Sequence, residues 1–319
     1  MNPKLDDDIL KQYGGRLKND LISILSTEED SEDEIKMFKN SHYYDWDGLL
    51  DILITRQGAF TTLSLNSQSI RAKFDKILCL VNFLQSKRCH LSAICTQETW
   101  LNDDDDVSLL QIPGYNLITQ GKYVSEHGGL FIYLLEELNY TVRQTEKATT
   151  WEGLFIDIDH ENLNEKLILG NIYRPPVRNN RNREINIFLD EFRPVLETIL
   201  KVNRTPILAG DYNLDLLEVD QREKFQEFLD TMVSNGLHPK ITLPTRFANK
   251  SCSLLDNIYT TYSSKHTADA ISGILFSTVS DHFACFTSMD LFKTKKTSNT
   301  KFVKVYNHSA SDIEHLCKE

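Results

Sequence analysis

The sequence predicts an α+β domain in which two mixed β-sheets pack face to face and helices cover the outer faces. Three observations carry this. Short apolar and β-branched runs recur along most of the chain, and few long amphipathic stretches separate them. Those stretches are too few to supply the crossovers of a helix-alternating parallel sheet. The 319 residues, 40% of them hydrophobic, suffice for one large domain or two small ones with a substantial core. No run approaches the roughly 20 apolar residues that span a bilayer.

The folded body is expected to begin at Ala59, with the strand Ala59-Phe-Thr-Thr-Leu-Ser-Leu65. Asn66 ends it, and Ser67 or Ser69 reads as the N-cap of a following helix. That helix shows Ile70, Phe74, Ile77, Leu78, Val81 and Leu84 at helical spacing. A buried strand, Leu91–Thr96, leads into Gln97-Glu-Thr-Trp100. Further strands are predicted at Leu130–Leu134, Gly153–Ile158 and Lys166–Tyr173, the last stopped by Arg174-Pro-Pro176. Ile185, Phe188, Leu189, Phe192, Leu196 and Ile199 form one stripe of a long helix ending near Leu200. A shorter helix is expected from Gln221 to Asn235. Residues 239–256 read as a long polar hairpin or loop, and strands at Asn257–Thr261 and His282–Met289 complete the body.

Charge separates the ends from this body. Residues 1–58 hold thirteen acidic and seven basic residues and include Thr27-Glu-Glu-Asp-Ser-Glu-Asp-Glu34, so they read as an acidic, partly disordered extension. Tyr43, Tyr44 and Trp46 give its later part a means of packing on the domain. Asp103 to Asp106 form a solvated loop, lacking the spaced ligands of a calcium loop. Residues 291–319 form a basic tail with five lysines between Lys293 and Lys304. The net charge of −11 lacks the basic footprint of a nucleic-acid binder. Most of that charge sits in the extension and the Asp run, which leaves room for a local basic groove. The six cysteines form no Cys-x-x-Cys pair, which points to reduced thiols in an intracellular protein.

One pattern repeats: an apolar strand ends in a residue able to handle phosphate or metal. It recurs at Asn66, Glu98, Tyr173, Asp211 with Asn213, and Asp281 with His282. The run Pro206-Ile-Leu-Ala-Gly-Asp211-Tyr-Asn213 is the clearest case. If its backbone stays extended beyond Gly210, Asp211 and Asn213 point to one side; read alone, Gly-Asp-x-Asn is equally a turn. Side by side, these strand ends would share one rim.

The motifs Gln97-Glu-Thr-Trp100, Asn171-Ile-Tyr-Arg-Pro-Pro176, Gly210-Asp-Tyr-Asn213, Leu254-Leu-Asp-Asn-Ile258 and Ser280-Asp-His282 together resemble the exonuclease–endonuclease–phosphatase superfamily. Within it, Tyr-Arg-Pro-Pro and Pro244-Thr-Arg246 resemble the apurinic-endonuclease-like domain of non-LTR (LINE-type) retrotransposons, over roughly residues 59–290. The resemblance implies a DNase I-like four-layer α/β/β/α sandwich and a Mg²⁺-dependent (or Mn²⁺-dependent) endonuclease. Its action would nick double-stranded DNA to leave a 3′-hydroxyl that primes reverse transcription. It also implies a reverse transcriptase as fusion partner or ancestor, a nuclear location and no membrane.

The same resemblance places the metal at Glu98 with help from Asn66. Asp211 would orient or deprotonate the water, and Asn213 and Tyr173 would donate to phosphate oxygens. His282 would meet the scissile phosphate as an imidazolium held by Asp256, and Asp281 would join the metal and histidine network. Arg174, Arg246, Asn249 and Lys250 are the expected DNA contacts. His127 and Asp215 read as surface residues. Other phosphoesterase chemistry, on abasic sites or on inositol or lipid phosphates, remains an alternative, as does a catalytically silent DNA-binding fragment.

Overall fold

The computed structural model describes residues 21–25, 41–144, 147–176, 181–248, 251–261, 269–276 and 279–293. In chain order the elements begin with α1 (Leu21–Leu25), β1 (His42–Tyr44), α2 (Trp46–Thr55), β2 (Phe60–Asn66), α3 (Ile70–Ser86) and β3 (Ala93–Gln97). Then come β4 (Tyr115–Gln120), β5 (Leu130–Leu135), β6 (Tyr140–Val142), β7 (Glu152–Ile158), β8 (Leu167–Tyr173), α4 (Arg181–Leu200) and β9 (Thr205–Asp211). The chain closes with α5 (Glu223–Ser234), β10 (His238–Pro239), β11 (Arg246–Ala248), β12 (Ser251–Ser253), β13 (Asp256–Thr260), β14 (Ile271–Leu275) and β15 (Ala284–Met289).

Two mixed sheets result, ordered β1-β14-β15-β2-β3-β5-β4 and β10-β13-β9-β8-β7-β6. The strands at the centre of each are a parallel pair joined through a helix: β2 and β3 through α3, β8 and β9 through α4. Antiparallel neighbours flank both pairs. The expected α+β sandwich is therefore the observed one, with two crossover helices sufficing because most pairings are antiparallel.

Side-chain alternation builds the layers. On β2, Leu63 and Leu65 face outward to Leu49 and Leu53 of α2 and to Ile70, Phe74, Ile77 and Val81 of α3. The opposite face turns Phe60 inward, with Ala93, Cys95, Leu130 and Ile132 of the neighbouring strands, toward Leu169, Ile207 and Ala209 of the second sheet. The α4 stripe is buried throughout. Its Phe188 and Phe192 stack at 5.1 Å, and Trp151, just before β7, stands edge-on to Phe192 at 5.0 Å. Each such aromatic contributes about 1.5–3 kcal/mol by leaving water.

At one end the inter-sheet layer turns polar. Gln97 Nε2 donates to Ser64 Oγ (3.1 Å) and Asn171 Oδ1 (2.5 Å), while Asn171 Nδ2 donates to the carbonyls of Thr96 (3.0 Å) and Phe131 (2.9 Å). One amide of the second sheet thus bonds two strands of the first and fixes how the sheets meet.

Several local expectations change. The sheet extends upstream of Ala59, because β1 pairs in parallel with β14 and buries Tyr43 and Tyr44. Leu21 is also buried, its N–H donating to the Thr242 carbonyl. Ser69 is the N-cap residue of α3, but it has φ 81° and no side-chain cap bond, and the N–H groups of Ser69 and Ile70 donate to the carbonyls of Glu98 and Thr99. The segment 239–256 is well packed, with Thr242 and Thr245 fully buried and β11–β12 forming a separate hairpin. The acidic run Thr27–Glu34 and the lysines beyond Lys293 lie outside the described residues.

Candidate active site

Strand register assembles the rim. Across the second sheet, Glu152 pairs with Tyr173, Tyr173 with Asp211, and Asp211 with Asp256. Opposite this row, Asn66 pairs with Gln97 at the ends of β2 and β3. Both parallel pairs deliver their C-terminal ends here, where open α/β sheets place ligands. The antiparallel β13 and β15 begin here, so Asp256 and His282 arrive from the other direction.

Two hydrogen-bonded groups, one around Asp211 and one around Asp256, meet here across a 4.0 Å contact between His282 and Asp211. Asn66 Nδ2 spans two carboxylates, Glu98 Oε1 at 2.8 Å and Asp211 Oδ2 at 2.9 Å. Its Oδ1 accepts from the Gln68 N–H at 3.1 Å. Asn213 donates from its backbone N–H to Asp211 Oδ1 (3.0 Å) and from Nδ2 to Asp211 Oδ2 (3.1 Å) and the Arg174 carbonyl (2.8 Å). His282 Nδ1 lies 2.9 Å from Asp256 Oδ2 and 4.0 Å from Asp211 Oδ2. Thr245 Oγ1 donates to Asp256 Oδ2 at 2.7 Å. Asp211, Asp256, Asn66, Tyr173 and His282 are all buried.

The backbone is strained at the same place. Among the described residues, six non-glycine positions have positive φ, and five of them are Gln68, Ser69, Glu98, Trp100 and Asn213 at this rim. Left-handed backbone costs such residues of order 1–3 kcal/mol each and persists where the surroundings over-determine it. The strand β9 runs through Gly210 and Asp211, and at Gly210 an added Cβ would press on the Ile172 carbonyl of β8. Asp211 and Asn213 then converge through a turn, Asn213 having φ 49°, instead of along extended backbone. The turn and the site are one object.

Electrostatics follow from burial and crowding. Burial, reinforced by the Asp256 charge, pushes the Asp211 carboxyl up to about 7, with His282 opposing. Burial disfavours the His282 imidazolium, but the charge and hydrogen bond of Asp256, with Asp211 and Asp281, outweigh it and lift the ring to about 9. Burial and the charges of Glu98 and Asp211 raise the Tyr173 phenol far above its ordinary value, so it stays protonated.

A sequence profile described as the endonuclease/exonuclease/phosphatase family matches residues 63–282. The chain belongs to that family. Among solved structures, an AP endonuclease from Leishmania major superposes with a TM-score of 0.57 at 15% identity, over 84% of this chain and 98% of that one. The endonuclease domain of TRAS1, a telomere-specific non-LTR retrotransposon, gives a TM-score of 0.55 at 13% identity, over 73% and 99%. An AP endonuclease from Archaeoglobus fulgidus gives 0.55 at 13%, over 73% and 100%. No curated protein matches. The family and the DNase I-like fold are those its motifs imply.

Enzymes of the endonuclease/exonuclease/phosphatase family are metal-dependent hydrolases, and the rim fits a divalent cation. Its donors are hard carboxylate oxygens. Asp211, Asp256 and His282 offer ligand atoms within 4.8 Å of one another. His282 Nδ1, however, is at hydrogen-bond distance from Asp256, and Glu98 adds a carboxylate joined to Asp211 through the Asn66 amide. Asn66 bridges carboxylates with its amide nitrogen and engages its oxygen with Gln68, so it positions Glu98 more directly than it offers a ligand.

The expected DNA contacts fare unevenly. Arg174 is 1% exposed, and its guanidinium reaches the carbonyls of Tyr212 and Asn213 and faces the Phe188 ring. It shapes the site from below and cannot meet a duplex in this conformation. Arg246 is half-exposed on β11, with Nε 2.9 Å from Asp281 Oδ2. Asp281 also accepts from Gln68 Nε2 at 2.6 Å, so it joins the histidine through charge alone. Asn249 and Lys250 lie outside the described residues. Asp215 is no free surface group: its Oδ1 accepts from the Leu217 and Leu254 N–H groups. His127 is exposed, as expected, with its ring 5.0 Å from that of Trp100.

Sequence reasoning missed Gln97, Asn171, Thr245 and Glu152. Three of the four carried a signal: Gln97, Asn171 and Thr245 sit inside the quoted motifs, and an amide within an apolar strand needs buried partners. Glu152 lies one residue before the predicted strand Gly153–Ile158 and carried no signal. It is fully buried, and its carboxylate accepts from the N–H groups of Tyr123 (2.9 Å), Val124 (2.9 Å) and Gly129 (2.6 Å).

Proposed function

We propose that this protein is a Mg²⁺-dependent endonuclease that hydrolyses a phosphodiester bond of double-stranded DNA and leaves a 3′-hydroxyl. The observation that carries the reading is the meeting of Glu98, Asn66, Asp211, Asn213, Asp256 and His282 at one rim. Asp211, with a carboxyl near neutrality, is matched to taking the proton of an attacking water. His282 is cationic at neutral pH and lies close enough to Asp211 to meet the phosphate that this water attacks. The protonated Tyr173 phenol and the Asn213 amide add donors for phosphate oxygens. A divalent cation held by Glu98 would supply Lewis-acid stabilisation of the phosphate charge. The Tyr-Arg-Pro-Pro and Pro-Thr-Arg segments and the likeness to the TRAS1 domain support a retrotransposon origin. Such an endonuclease would be fused to, or derived from, a protein bearing a reverse transcriptase, and would work in the nucleus.

Purified protein should convert supercoiled plasmid to open circles with Mg²⁺, stop on addition of EDTA, and resume when Mg²⁺ is restored. Absence of nicking, or nicking indifferent to EDTA, defeats the reading. Preferential release of phosphate from a soluble phosphomonoester would replace it with a phosphatase.

The His282 pair also sets the alkaline limb of activity. Because its folded pKa is raised, the charged ring and the stability it brings are present below the ordinary value of 6.5 and are lost as pH rises through about 9. The nicking rate should fall through that range. Asp256→Asn should move the limb to lower pH, since the Asp256 carboxylate holds the ring charged. A limb unmoved by that change would separate His282 from the chemistry.

A further inference from the structure

One exposed aromatic at the rim carries none of the roles assigned above, although it is bonded to Glu98. Trp100 is 37% exposed, whereas Trp151 is buried against Phe155, Phe188 and Phe192. Its backbone lies in the left-handed region at φ 63°, a costly conformation for a bulky side chain. The position is nevertheless fixed three times over. The Trp100 N–H donates to the Gly128 carbonyl at 2.8 Å, the indole Nε1 donates to Glu98 Oε2 at 3.3 Å, and the exposed His127 ring meets the indole edge to face at 5.0 Å and 74°. Gly129, at φ 95°, lets the two segments approach so closely that an added Cβ would collide with Thr99 Oγ1. A solvent-facing indole kept only for bulk would need none of this.

We propose that Trp100, buttressed by His127, is a stacking platform for a nucleobase that has left its own stack beside the scissile phosphate. The idea rests on reading this rim as a polynucleotide site, and it narrows the substrate to nucleic acid with an unpaired or opened nucleotide there. Three features fit. The indole is tied to Glu98, so a base on its face lies next to the group that faces the phosphate. Stacking needs no hydrogen-bond code and tolerates any base. Tyr173, the aromatic paired in register with Asp211, is buried and cannot serve.

The test uses the full chain in EDTA, where binding is separated from hydrolysis. A short single-stranded oligonucleotide should quench indole fluorescence, and an abasic deoxyribose-phosphate oligomer of equal length should not. Trp100→Phe should abolish the quenching while binding close to wild type, because the ring remains. Trp100→Leu should weaken binding about 5- to 100-fold, the range of one base–aromatic stack, and should leave affinity for the abasic oligomer unchanged. Equal quenching by both oligomers, or wild-type affinity in Trp100→Leu, overturns the platform. Failure to bind either oligomer overturns it as well. Wild-type protein that binds and is quenched but never nicks plasmid leaves the platform standing and removes the endonuclease.

Discussion

Asp211→Asn is expected to nick plasmid about 10²- to 10⁴-fold more slowly than wild type and yet to melt no lower. The two halves come from one fact. Asp211 is fully buried beside the Asp256 carboxylate, and both effects raise its pKa from 3.8 to about 7. A carboxyl raised in the folded state gives stability that is present below 3.8 and lost as pH rises through about 7. Above that pH the ionised group burdens the fold; an isosteric amide removes that charge but keeps one acceptor oxygen for the three N–H donors on the carboxylate, so gain and loss offset. The trade of stability for chemistry is a property of a working site, not of a structural carboxylate. His282→Ala should lose roughly 10²- to 10³-fold in rate by removing one donor to developing charge. It should also lose stability, since Asp256 then keeps only Thr245 as a side-chain partner among the described residues. Thermal melts in EDTA alongside plasmid assays decide the matter. Near-wild-type nicking by Asp211→Asn, or a clear drop in its melting temperature above pH about 7, would contradict the assignment.

Glu152→Ala should be the most destabilising change near the site. Its carboxylate serves three backbone N–H groups in a fully buried position. Each orphaned buried donor costs about 1–3 kcal/mol, so the total is roughly 3–6 kcal/mol after partial relaxation. At about 2–4 °C per kcal/mol for a domain of this size, the melting temperature should fall by roughly 6–24 °C. Glu152→Gln, which keeps an acceptor oxygen, should recover much of that loss. The change would also reach the rim: Gly128 and Gly129, placed by Glu152, receive the N–H groups of Trp100 and Thr99, which follow Glu98. Denaturation scans on both variants are the measurement, and a wild-type melt for Glu152→Ala would show that water satisfies those donors.

Strands β2, β3, β5, β7, β8, β9, β13 and β15 and the α4 stripe were legible because apolar periodicity is a local property of the chain. Asn66, Glu98, Tyr173, Asp211 and His282 were legible because they adjoin such runs; strands β1, β4, β6, β10 and β14 were not. What was illegible depends on neighbours distant in sequence. Arg174 reads as a surface cation until α4 is seen to roof it with Phe188. Asp215 reads as exposed until Leu254 arrives to donate to it. The start of α3 reads as a serine cap, yet its donors are met by carbonyls some thirty residues away at Glu98 and Thr99. The boundary at Ala59 failed for the same reason, since β1 has only three residues and its partner β14 lies more than two hundred positions later.

The place of β15 has a consequence for the timing of activity in the cell. This late strand does not add to an edge; it inserts between β14 and β2, pairing Cys285 with Ser64. Until the ribosome has released residues through Met289, β2 lacks that neighbour and His282 has not reached Asp256. Contacts this distant in sequence also form slowly. A nascent chain therefore carries most of the rim residues before the rim exists, and the site is assembled only when β2 and β15 have met.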